Sequence, residues 1–337
     1  MNHSLACSIL LACSASVCGC AGSSTSAPSS AGGTPSSSTA GAAGAPVSSE
    51  VAGSGGTLEP GGATNGGSSS ASGTSGGDTS LADAGSNDGD GEAGAPATIE
   101  GWNLVWSDEF NAAQGQPLDK SKWRFSVGPS NVNKELEYYS DRPENAGFDG
   151  AGHYLITARK ESYQGRSYTS AKFTTQATFQ QKYGRFEARL KLPAGKGLWP
   201  AFWALGANNV GWPQCGEMDI METIGSELTI NRGSLHGPGY SGGNPLTAVF
   251  KLSTGSDFSQ DFHVFATEWE ENVVRFYVDG TLYETRTPAD AAGKQWVFDH
   301  SFYMILNVAV GGMLPGPPDD SVFPQALSID YVRVYSR

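Results

Sequence analysis

The stretch GRFEARLKLP, residues 184–193, decides the class of fold. Its apolar side chains, Phe186, Ala188, Leu190 and Leu192, alternate with arginine, glutamate and lysine. Successive side chains of a β-strand point to opposite faces, so this alternation predicts a strand with one buried face and one solvated face.

The same period of two recurs along the second part of the chain, where no segment shows a sustained helical apolar period. Further strands are predicted at residues 153–160, 169–176, 272–280, 301–310 and 327–336. The sequence Val278-Asp279-Gly280 also predicts a tight hairpin, because glycine adopts the positive φ of such a turn. Many short strands separated by Gly, Pro and Asn predict an all-β fold, a sandwich or jelly roll.

Composition divides the chain near residue 98. Residues 1–98 contain no Lys, no Arg and no aromatic residue, whereas residues 99–337 hold all 8 Trp residues. A Gly/Ser/Ala-rich segment of this kind buries too little apolar surface to offset the entropy of ordering it. We therefore predict a disordered linker over residues 21–98 and one folded domain over residues 99–337.

Residues 1–20, MNHSLACSILLACSASVCGC, have the apolar run of a signal peptide, although no Lys or Arg precedes it. Val17-Cys18-Gly19-Cys20 resembles a bacterial lipobox, which predicts a lipid on Cys20 and a cell-surface lipoprotein. The alternative is cleavage by an ordinary signal peptidase and full secretion. In either case export is expected, and a membrane is contacted only through that lipid, because no run of about 20 apolar residues is present.

Charge and motif spacing argue against several other functions. The net charge is −13 without a basic stripe, so neither nucleic acid nor an anionic membrane is an expected partner. Cys215 is the one cysteine of the domain, which excludes an internal disulfide and a CxxC metal site. The 5 histidines lack zinc-site spacing. The GxSxG match at residues 239–243 lacks the helix that follows a serine nucleophile.

The segment GEMDIMETIG, residues 216–225, places three carboxylates among apolar residues. Two carboxylates flanking a scissile bond perform glycoside hydrolysis, whereas the alternative is an exposed strand with solvated acids. Strict alternation puts Glu217 and Asp219 on one face and Glu222 on the other. A β-bulge would return Glu222 to the shared face, and Met221 is predicted to be the inserted residue.

Aromatic residues cluster just before this segment. Trp199 and Trp203 lie four residues apart in GLWPAFWALG, and Trp212 follows. Aromatic faces stack on the apolar faces of sugar rings, which favours a saccharide cleft, while packing inside the sandwich is the alternative. His236, in SLHGPGY, is interpreted equally well as a structural residue and as a substrate contact.

The sequence resembles glycoside hydrolase family 16, in its laminarinase-like endo-β-1,3-glucanase branch. The resemblance runs from WSDEF (106–110) to DYVRVY (330–335). The segments that carry it between these ends are NKELEYYS (133–140), YTSAKFTT (168–175), YGRFEARLKLP (183–193), GLWPAFWALG (197–206), WPQCGEMDIMETIG (212–225), LHGPGYSGG (235–243), FHVFATEW (262–269), FYVDG (276–280) and NVAVGG (307–312). The resemblance implies a β-jelly roll of two curved antiparallel sheets with the substrate cleft along the concave face.

The resemblance also implies a retaining mechanism that requires no cofactor. Glu217 is then the nucleophile, Glu222 the general acid/base, and Asp219 the residue that tunes the nucleophile. A retaining pair holds its carboxyl groups about 5–5.5 Å apart. The substrate contacts that the resemblance implies are Trp199, Trp203, His236, Trp212, Asn131 and Glu135.

Two further implications concern a departure from the family and a metal. The family commonly has Gly-Arg where this chain has Ala171-Lys172, and lysine lacks the planar fork of arginine. Many members bind a structural Ca²⁺, which here would use Glu109, Asp330 and a backbone carbonyl near Gly152, since oxygen ligands suit a hard cation.

The sequence thus predicts an exported, monomeric endo-β-1,3-glucanase whose partner is a laminarin-type β-glucan. Mixed-linkage β-1,3-1,4-glucan and, less favoured, a marine galactan are alternative substrates. A glucan-binding module without activity is an alternative function, and retention of all three acids argues against it.

Overall fold

The structure is a computed structural model that describes residues 98–337. The predicted signal peptide (1–20), with Cys20, and the predicted linker (21–98) except for residue 98 lie outside the described residues. Within residues 98–337 no helix is long and apolar enough to cross a membrane.

The described residues form strands and two short 3₁₀ helices, at Pro288–Ala291 and Asp320–Val322. In chain order the strands are β1 (Asn103–Asp108), β2 (Arg124–Phe125), β3 (Gly128–Pro129), β4 (Glu137–Tyr139), β5 (Ala146–Phe148), β6 (Tyr154–Tyr163), β7 (Arg166–Ser170), β8 (Lys172–Thr174), β9 (Gly184–Lys191), β10 (Leu198–Gly206), β11 (Glu217–Glu222), β12 (Ile230–His236), β13 (Leu246–Lys251), β14 (His263–Glu270), β15 (Val273–Val278), β16 (Thr281–Arg286), β17 (Phe302–Val310) and β18 (Gln325–Ser336). The all-β prediction is confirmed.

The strands are arranged in two sheets. The larger sheet has 11 strands in the order β16-β15-β14-β9-β18-β6-β7-β4-β3, with β1 beside β18 and β5 beside β6. The smaller sheet has 7 strands in the order β13-β12-β11-β10-β17-β8-β2. Neighbouring strands are antiparallel except for the parallel pair of β4 and β7. This is the two-sheet sandwich of the predicted jelly roll.

The core lies between the two sheets. Phe186 and Leu190 of β9 and Phe202 and Ala204 of β10 belong to one buried cluster, so each sheet turns one apolar face inward. The predicted strand at residues 184–193 is therefore confirmed as β9.

The opposite face of β9 differs from the prediction, because it is not left to solvent. Arg185 and Glu187 are buried there and form an ion pair at 2.8 Å, and Arg185 also contacts Glu268 of β14 at 3.1 Å. A strand in the middle of a sheet has polar neighbours on both sides, and their side chains cover one another.

The segment predicted as one strand at residues 169–176 is two strands. Ala171 separates β7, in the larger sheet, from β8, in the smaller one, and Ala171 is fully buried. The alternation continues through the break, so the period of two does not reveal that the chain changes sheets there. The hairpin prediction holds: Asp279 and Gly280, both with positive φ, join β15 to β16.

Candidate active site

The register of the smaller sheet places the three acids of β11 beside one another. In the antiparallel pair of β10 and β11, Glu222 lies opposite Ala201, Asp219 opposite Trp203, and Glu217 opposite Leu205. Positions 201, 203 and 205 share one face of β10, because side chains alternate along a strand. The three acids therefore share a face as well, away from the core. We call this surface the cleft face.

A β-bulge causes this arrangement, as predicted. The ladder shifts register between Asp219 and Glu222 against both neighbouring strands. The inserted residue, however, is Ile220 and not Met221: Met221 lies opposite Phe202, and Ile220 has no partner on β10. Both side chains are fully buried in the core, so the sequence contains no signal for which of the two is the extra residue.

Glu217 and Glu222 each accept a hydrogen bond from a tryptophan indole. The indole Nε1 of Trp212 donates to Oε2 of Glu217 at 2.5 Å, and that of Trp199 donates to Oε1 of Glu222 at 3.0 Å. Asp219 sits between them.

His236 completes the centre from β12, where it lies opposite Glu217. Its Nε2 is 3.0 Å from Oδ2 of Asp219. Ligand atoms of Glu217, Asp219 and His236 all lie within 4.8 Å of one another. The structure thus brings His236 to the acids, where it is both buried and in contact with the candidate reaction centre.

Burial raises the pKa of all three carboxyl groups. The pKa of Glu217 rises to about 8, first through burial and then through the charge of Asp219, against the opposing effects of His236 and the Trp212 indole. Burial and the charge of Glu222 raise the pKa of Asp219 well above its usual range. Burial also raises the pKa of Glu222, and His236, Arg232 and the Trp199 indole oppose that rise. Glu217 and Asp219 are buried and Glu222 is partly buried. Three adjacent carboxyls in such surroundings do not all ionise together, so the centre retains a proton near neutral pH.

This arrangement can donate a proton and supply a carboxylate at the same time. When adjacent carboxyl groups carry fewer negative charges than there are groups, at least one of them is a protonated acid and another is an ionised base. Both face one cavity, which Trp199, Trp203 and Glu135 also line. Proton transfer and nucleophilic attack on a bond lying in that cavity are the chemistry it supports.

The remaining predicted substrate contacts line the same depression or its extension. Trp203 lies on the border of a larger cavity of about 660 Å³, which Asn131 and Trp212 also line. Asn131 accepts a hydrogen bond from Arg166 at 2.8 Å. Glu135 accepts hydrogen bonds from neighbours on its own loop, and its carboxylate is buried.

Sequence reasoning missed two polar residues of the cleft, Tyr139 and Asn307. Asn307 accepts a hydrogen bond from Nε1 of Trp203 at 2.8 Å and donates to the hydroxyl of Tyr139 at 3.2 Å. Both residues lie in segments that carry the family resemblance, NKELEYYS and NVAVGG, which was the available signal. Lys172, noted only as a departure, lines both cavities, and its Nζ lies 5.0 Å from the ring centre of Trp203.

The residues predicted to bind calcium are engaged with arginines. Both carboxylate oxygens of Glu109 accept hydrogen bonds from Arg333, at 3.1 and 2.6 Å. Asp330 accepts one from Arg189 at 2.6 Å. Gly152 has a φ of +92° in the turn before β6. A calcium ion at these oxygens would have to displace guanidinium groups.

The family model described as glycosyl hydrolases family 16 matches residues 131–333. A β-glucanase of Rhodothermus marinus is 41% identical over 249 residues, which is 69% of this chain and 85% of that protein. The laminarinase catalytic domain of Thermotoga maritima has 49% identity and a TM-score of 0.66, over 70% of this chain and 98% of that one. The structure of SCLam, described as a non-specific endo-β-1,3(4)-glucanase, has 35% identity and a TM-score of 0.65, over 71% and 93%.

Proposed function

Because the chain belongs to family 16 of the glycosyl hydrolases, we propose that it cleaves internal β-1,3-glucosidic bonds of laminarin-type β-glucans with retention of configuration. The laminarinase of Thermotoga maritima and the β-glucanase of Rhodothermus marinus support this choice of substrate. The observation that carries the proposal is the bulge in β11, which turns Glu222 onto the face of Glu217 and Asp219.

The reaction uses two steps at one sugar carbon. In the first, Glu217 attacks the anomeric carbon while Glu222 donates its proton to the departing glycosidic oxygen, giving a covalent glycosyl-enzyme. In the second, Glu222 takes a proton from water, which attacks the same carbon and releases Glu217. The Trp212 indole stabilises the carboxylate form of Glu217. The charge of the neighbouring Asp219 raises the pKa of Glu217 and so makes its carboxylate more basic.

The catalytic roles are tested by Glu217→Ser and Glu222→Gln in the full chain. Each variant should lower turnover of laminarin by several orders of magnitude, because each removes a group that acts in the transition state. Circular dichroism and thermal melting check that the fold persists. Folded variants with near-normal turnover would refute the assignment.

Retention and endo action have separate measurements. Proton NMR of the first products should show the β-anomer before mutarotation, whereas an inverting enzyme would release the α-anomer. Size-exclusion chromatography of laminarin should show rapid shortening with few reducing ends, as internal cleavage requires.

The linkage that is cleaved has a second candidate, because SCLam is described as acting on β-1,3(4)-glucan. Reducing-sugar release from laminarin, lichenan and agarose separates the candidates. Faster turnover of lichenan than of laminarin would assign a mixed-linkage glucanase, and activity on agarose alone would assign a galactanase.

We also propose that the protein is exported, with a lipid on Cys20, and acts as a monomer. The lipobox-like sequence Val17-Cys18-Gly19-Cys20 supports export and the lipid. Cys20→Ala should abolish incorporation of labelled palmitate and move the protein from the detergent phase to the aqueous phase. An unmodified protein that takes up no palmitate and partitions into the aqueous phase would support full secretion instead. Analytical ultracentrifugation of the released protein tests the monomer.

A structural Ca²⁺ at Glu109 and Asp330 is the remaining proposal, and it rests on the family resemblance alone. Calorimetric titration of the chelator-treated protein measures it. Calcium binding that Glu109→Gln abolishes would support the site. Absence of binding would mean that these acids serve to pair with Arg333 and Arg189.

A further inference from the structure

A second pair of buried carboxyl groups lies next to the reaction centre. Glu135 lines the cavity that holds the three acids of β11. Glu137, the first residue of β4, is fully buried and close enough to Glu135 for their charges to interact. Within residues 98–337, neither carboxylate has a Lys, Arg or His within ion-pairing distance, although the ion pairs of many other acids are present. Two such charges side by side without a cation are costly to bury.

Hydrogen-bond donors are distributed unevenly between the two groups. Glu135 accepts from the hydroxyl of Ser130 at 2.5 Å, from the amide of Asn133 at 3.1 Å and from the hydroxyl of Tyr139 at 3.4 Å. Glu137 accepts only from the backbone N–H of Val310, at 2.7 Å, and its Oε1 has no partner among the described residues. The negative charge therefore belongs on Glu135 and the proton on Glu137. Burial, followed by the charge of Glu135, raises the pKa of Glu137 to about 8.

The side chain of Glu137 joins the two sheets at the end of the cleft. Val310 is the last residue of β17, in the smaller sheet, whereas Glu137 belongs to β4 in the larger one. Two backbone hydrogen bonds reinforce the junction: Leu136 N–H donates to Val310 O at 2.9 Å, and Met313 N–H donates to Asn133 O at 2.8 Å. Residues 131–137, which we call the wall segment, are thus fastened to β17 and the turn after it.

The wall segment is in turn connected to the cleft face. Tyr139, which donates to Glu135, accepts from Asn307, and Asn307 accepts from the indole of Trp203. Trp203 lies opposite Asp219 in the ladder. The position of Glu135 therefore influences that of Trp203, beside the candidate reaction centre, through an unbroken chain of hydrogen bonds.

We propose that Glu137 is a positioning residue for substrate binding: its protonated carboxyl fastens the wall segment to β17, and ionisation releases that segment and weakens the binding of glucan. This inference rests on the proposed function. When Glu137 loses its proton, Val310 N–H still donates, but two adjacent carboxylates repel each other. The new charge gains hydration only if the wall segment moves away from β17.

Other titratable groups near this junction do not compensate such a charge. Arg166 of β7 directs its guanidinium to the backbone carbonyls of Ser130 and Glu135 and to Asn131. Lys172 of β8 lies 5.8 Å from the ring centre of Tyr139. The titratable groups facing Glu137 from its own and the adjoining strands are Glu135, Tyr139, Arg166, Tyr168 and Lys172.

The variant Glu137→Gln tests the proposal in the full chain, because glutamine is neutral at every pH, keeps an oxygen for Val310 N–H and adds a donor for Glu135. We expect the KM of the unmodified protein for laminarin to rise about three- to tenfold between about pH 7 and pH 9.5 through this group. Glu137→Gln should keep the KM of pH 7 over that range, with a kcat at each pH close to that of the unmodified protein. Glu137→Ala should raise KM already at pH 7. An alkaline rise of KM in Glu137→Gln equal to that of the unmodified protein would overturn the proposal, as would an unchanged KM in a folded Glu137→Ala.

A second measurement does not depend on activity. Hydrogen–deuterium exchange of peptides covering residues 131–137 should accelerate between pH 7 and pH 9.5 by more than the intrinsic base catalysis in the unmodified protein, and by no more than that in Glu137→Gln. Equal acceleration in both would overturn the proposal even if laminarin is hydrolysed. If laminarin is neither bound nor hydrolysed, the proposed function fails, while the exchange experiment still decides the role of Glu137.

Discussion

The indole N–H of Trp199, on β10, donates a hydrogen bond to Oε1 of Glu222, on the neighbouring strand β11, at 3.0 Å. A donor of this kind stabilises the ionised carboxyl and opposes the rise of pKa that burial causes in Glu222. The proposed general acid must be protonated before each attack, so Trp199 helps to set the pH above which activity is lost.

Trp199→Phe should therefore move the alkaline limb of kcat/KM upwards. Phenylalanine keeps an aromatic face but lacks the donor, so the pKa of Glu222 rises and the acid stays protonated to a higher pH. A displacement of about half to one pH unit is expected. The measurement is kcat/KM for laminarin as a function of pH.

Trp203→Phe is the matched control. Trp203 lies two positions further along the same face than Trp199, and its indole donates to Asn307 and not to an acid of β11. It should lower affinity through lost contact area without moving the limb. An equal displacement in both variants would show that the limb does not report this hydrogen bond.

A second prediction concerns Asp219 and the acidic limb. After burial, the charge of Asp219 is the next largest cause of the raised pKa of Glu217. Asp219→Asn removes that charge, so the pKa of Glu217 falls and the nucleophile remains ionised at lower pH. The acidic limb of kcat/KM should accordingly move downwards by about one unit, with a lower maximum because Asp219 no longer assists the nucleophile.

Ser234→Ala provides the comparison for this variant. Ser234 lies opposite Asp219 on β12 and is neutral, with its hydroxyl bonded to Thr247. Its limb should coincide with that of the unmodified protein. An acidic limb that moves upwards in Asp219→Asn would contradict the electrostatic role given to Asp219.

A third prediction concerns the bulge in β11 and compares the deletion of one residue with the deletion of two. Deleting Ile220 leaves Met221 opposite Phe202 and Glu222 opposite Ala201, so all three acids still share the cleft face. Deleting both Ile220 and Met221 moves Glu222 into a core-facing position. Activity on laminarin should persist at a reduced level in the first variant and be abolished in the second.

Stability must be followed in both deletion variants. Ile220 is fully buried, and loss of such a side chain costs about 2–5 kcal/mol of unfolding free energy. Near-UV circular dichroism below the melting transition shows whether each chain is folded. A folded single deletion without any activity would mean that the length of the bulge, and not only the face it selects, is required.

The fold was largely predictable from alternation, whereas partners across the sheets were not. The period of two in β9 identified the inward face of that strand correctly. It did not show that Arg185 and Glu187 are covered on the other face, because covering depends on Glu268, which is distant in sequence. The same limit applies at Ala171, where one alternating segment serves two sheets.

The acids of the candidate site were predictable for a different reason. Glu217, Asp219 and Glu222 lie on one strand, so local spacing and one bulge relate them to each other. The link from Glu135 through Tyr139 to Asn307 joins β4 to β17, and no local pattern announces it. The role of Glu137 could not be predicted for the same reason, since its partner is the backbone N–H of Val310, which is distant in sequence.

The last prediction concerns stability and a buried acid far from the candidate site in sequence. Glu284 of β16 is 5% exposed; its Oε1 accepts from Arg286 at 2.6 Å, and its Oε2 has no partner among the described residues. Burial, opposed by Arg286, raises the pKa of Glu284 from 4.5 to about 7. Between these two values the folded protein keeps a proton that the unfolded chain has released, so the free energy of unfolding falls as the pH rises. Above about pH 7 Glu284 is ionised in the folded protein too, and the full decrease in the free energy of unfolding is present.

Glu284→Gln should remove this dependence, because glutamine carries no charge to bury. The variant should match the unmodified protein near pH 4.5 and exceed its unfolding free energy by about 1–3 kcal/mol at pH 8, a margin reduced by the lost ion pair with Arg286. Thermal melts at the two pH values measure the difference. Glu227→Gln is the control, since Glu227 forms an exposed pair with Arg232 and such pairs contribute little at either pH. A Glu284→Gln variant less stable than the unmodified protein at pH 8 would show that the pair with Arg286 outweighs the burial of the charge.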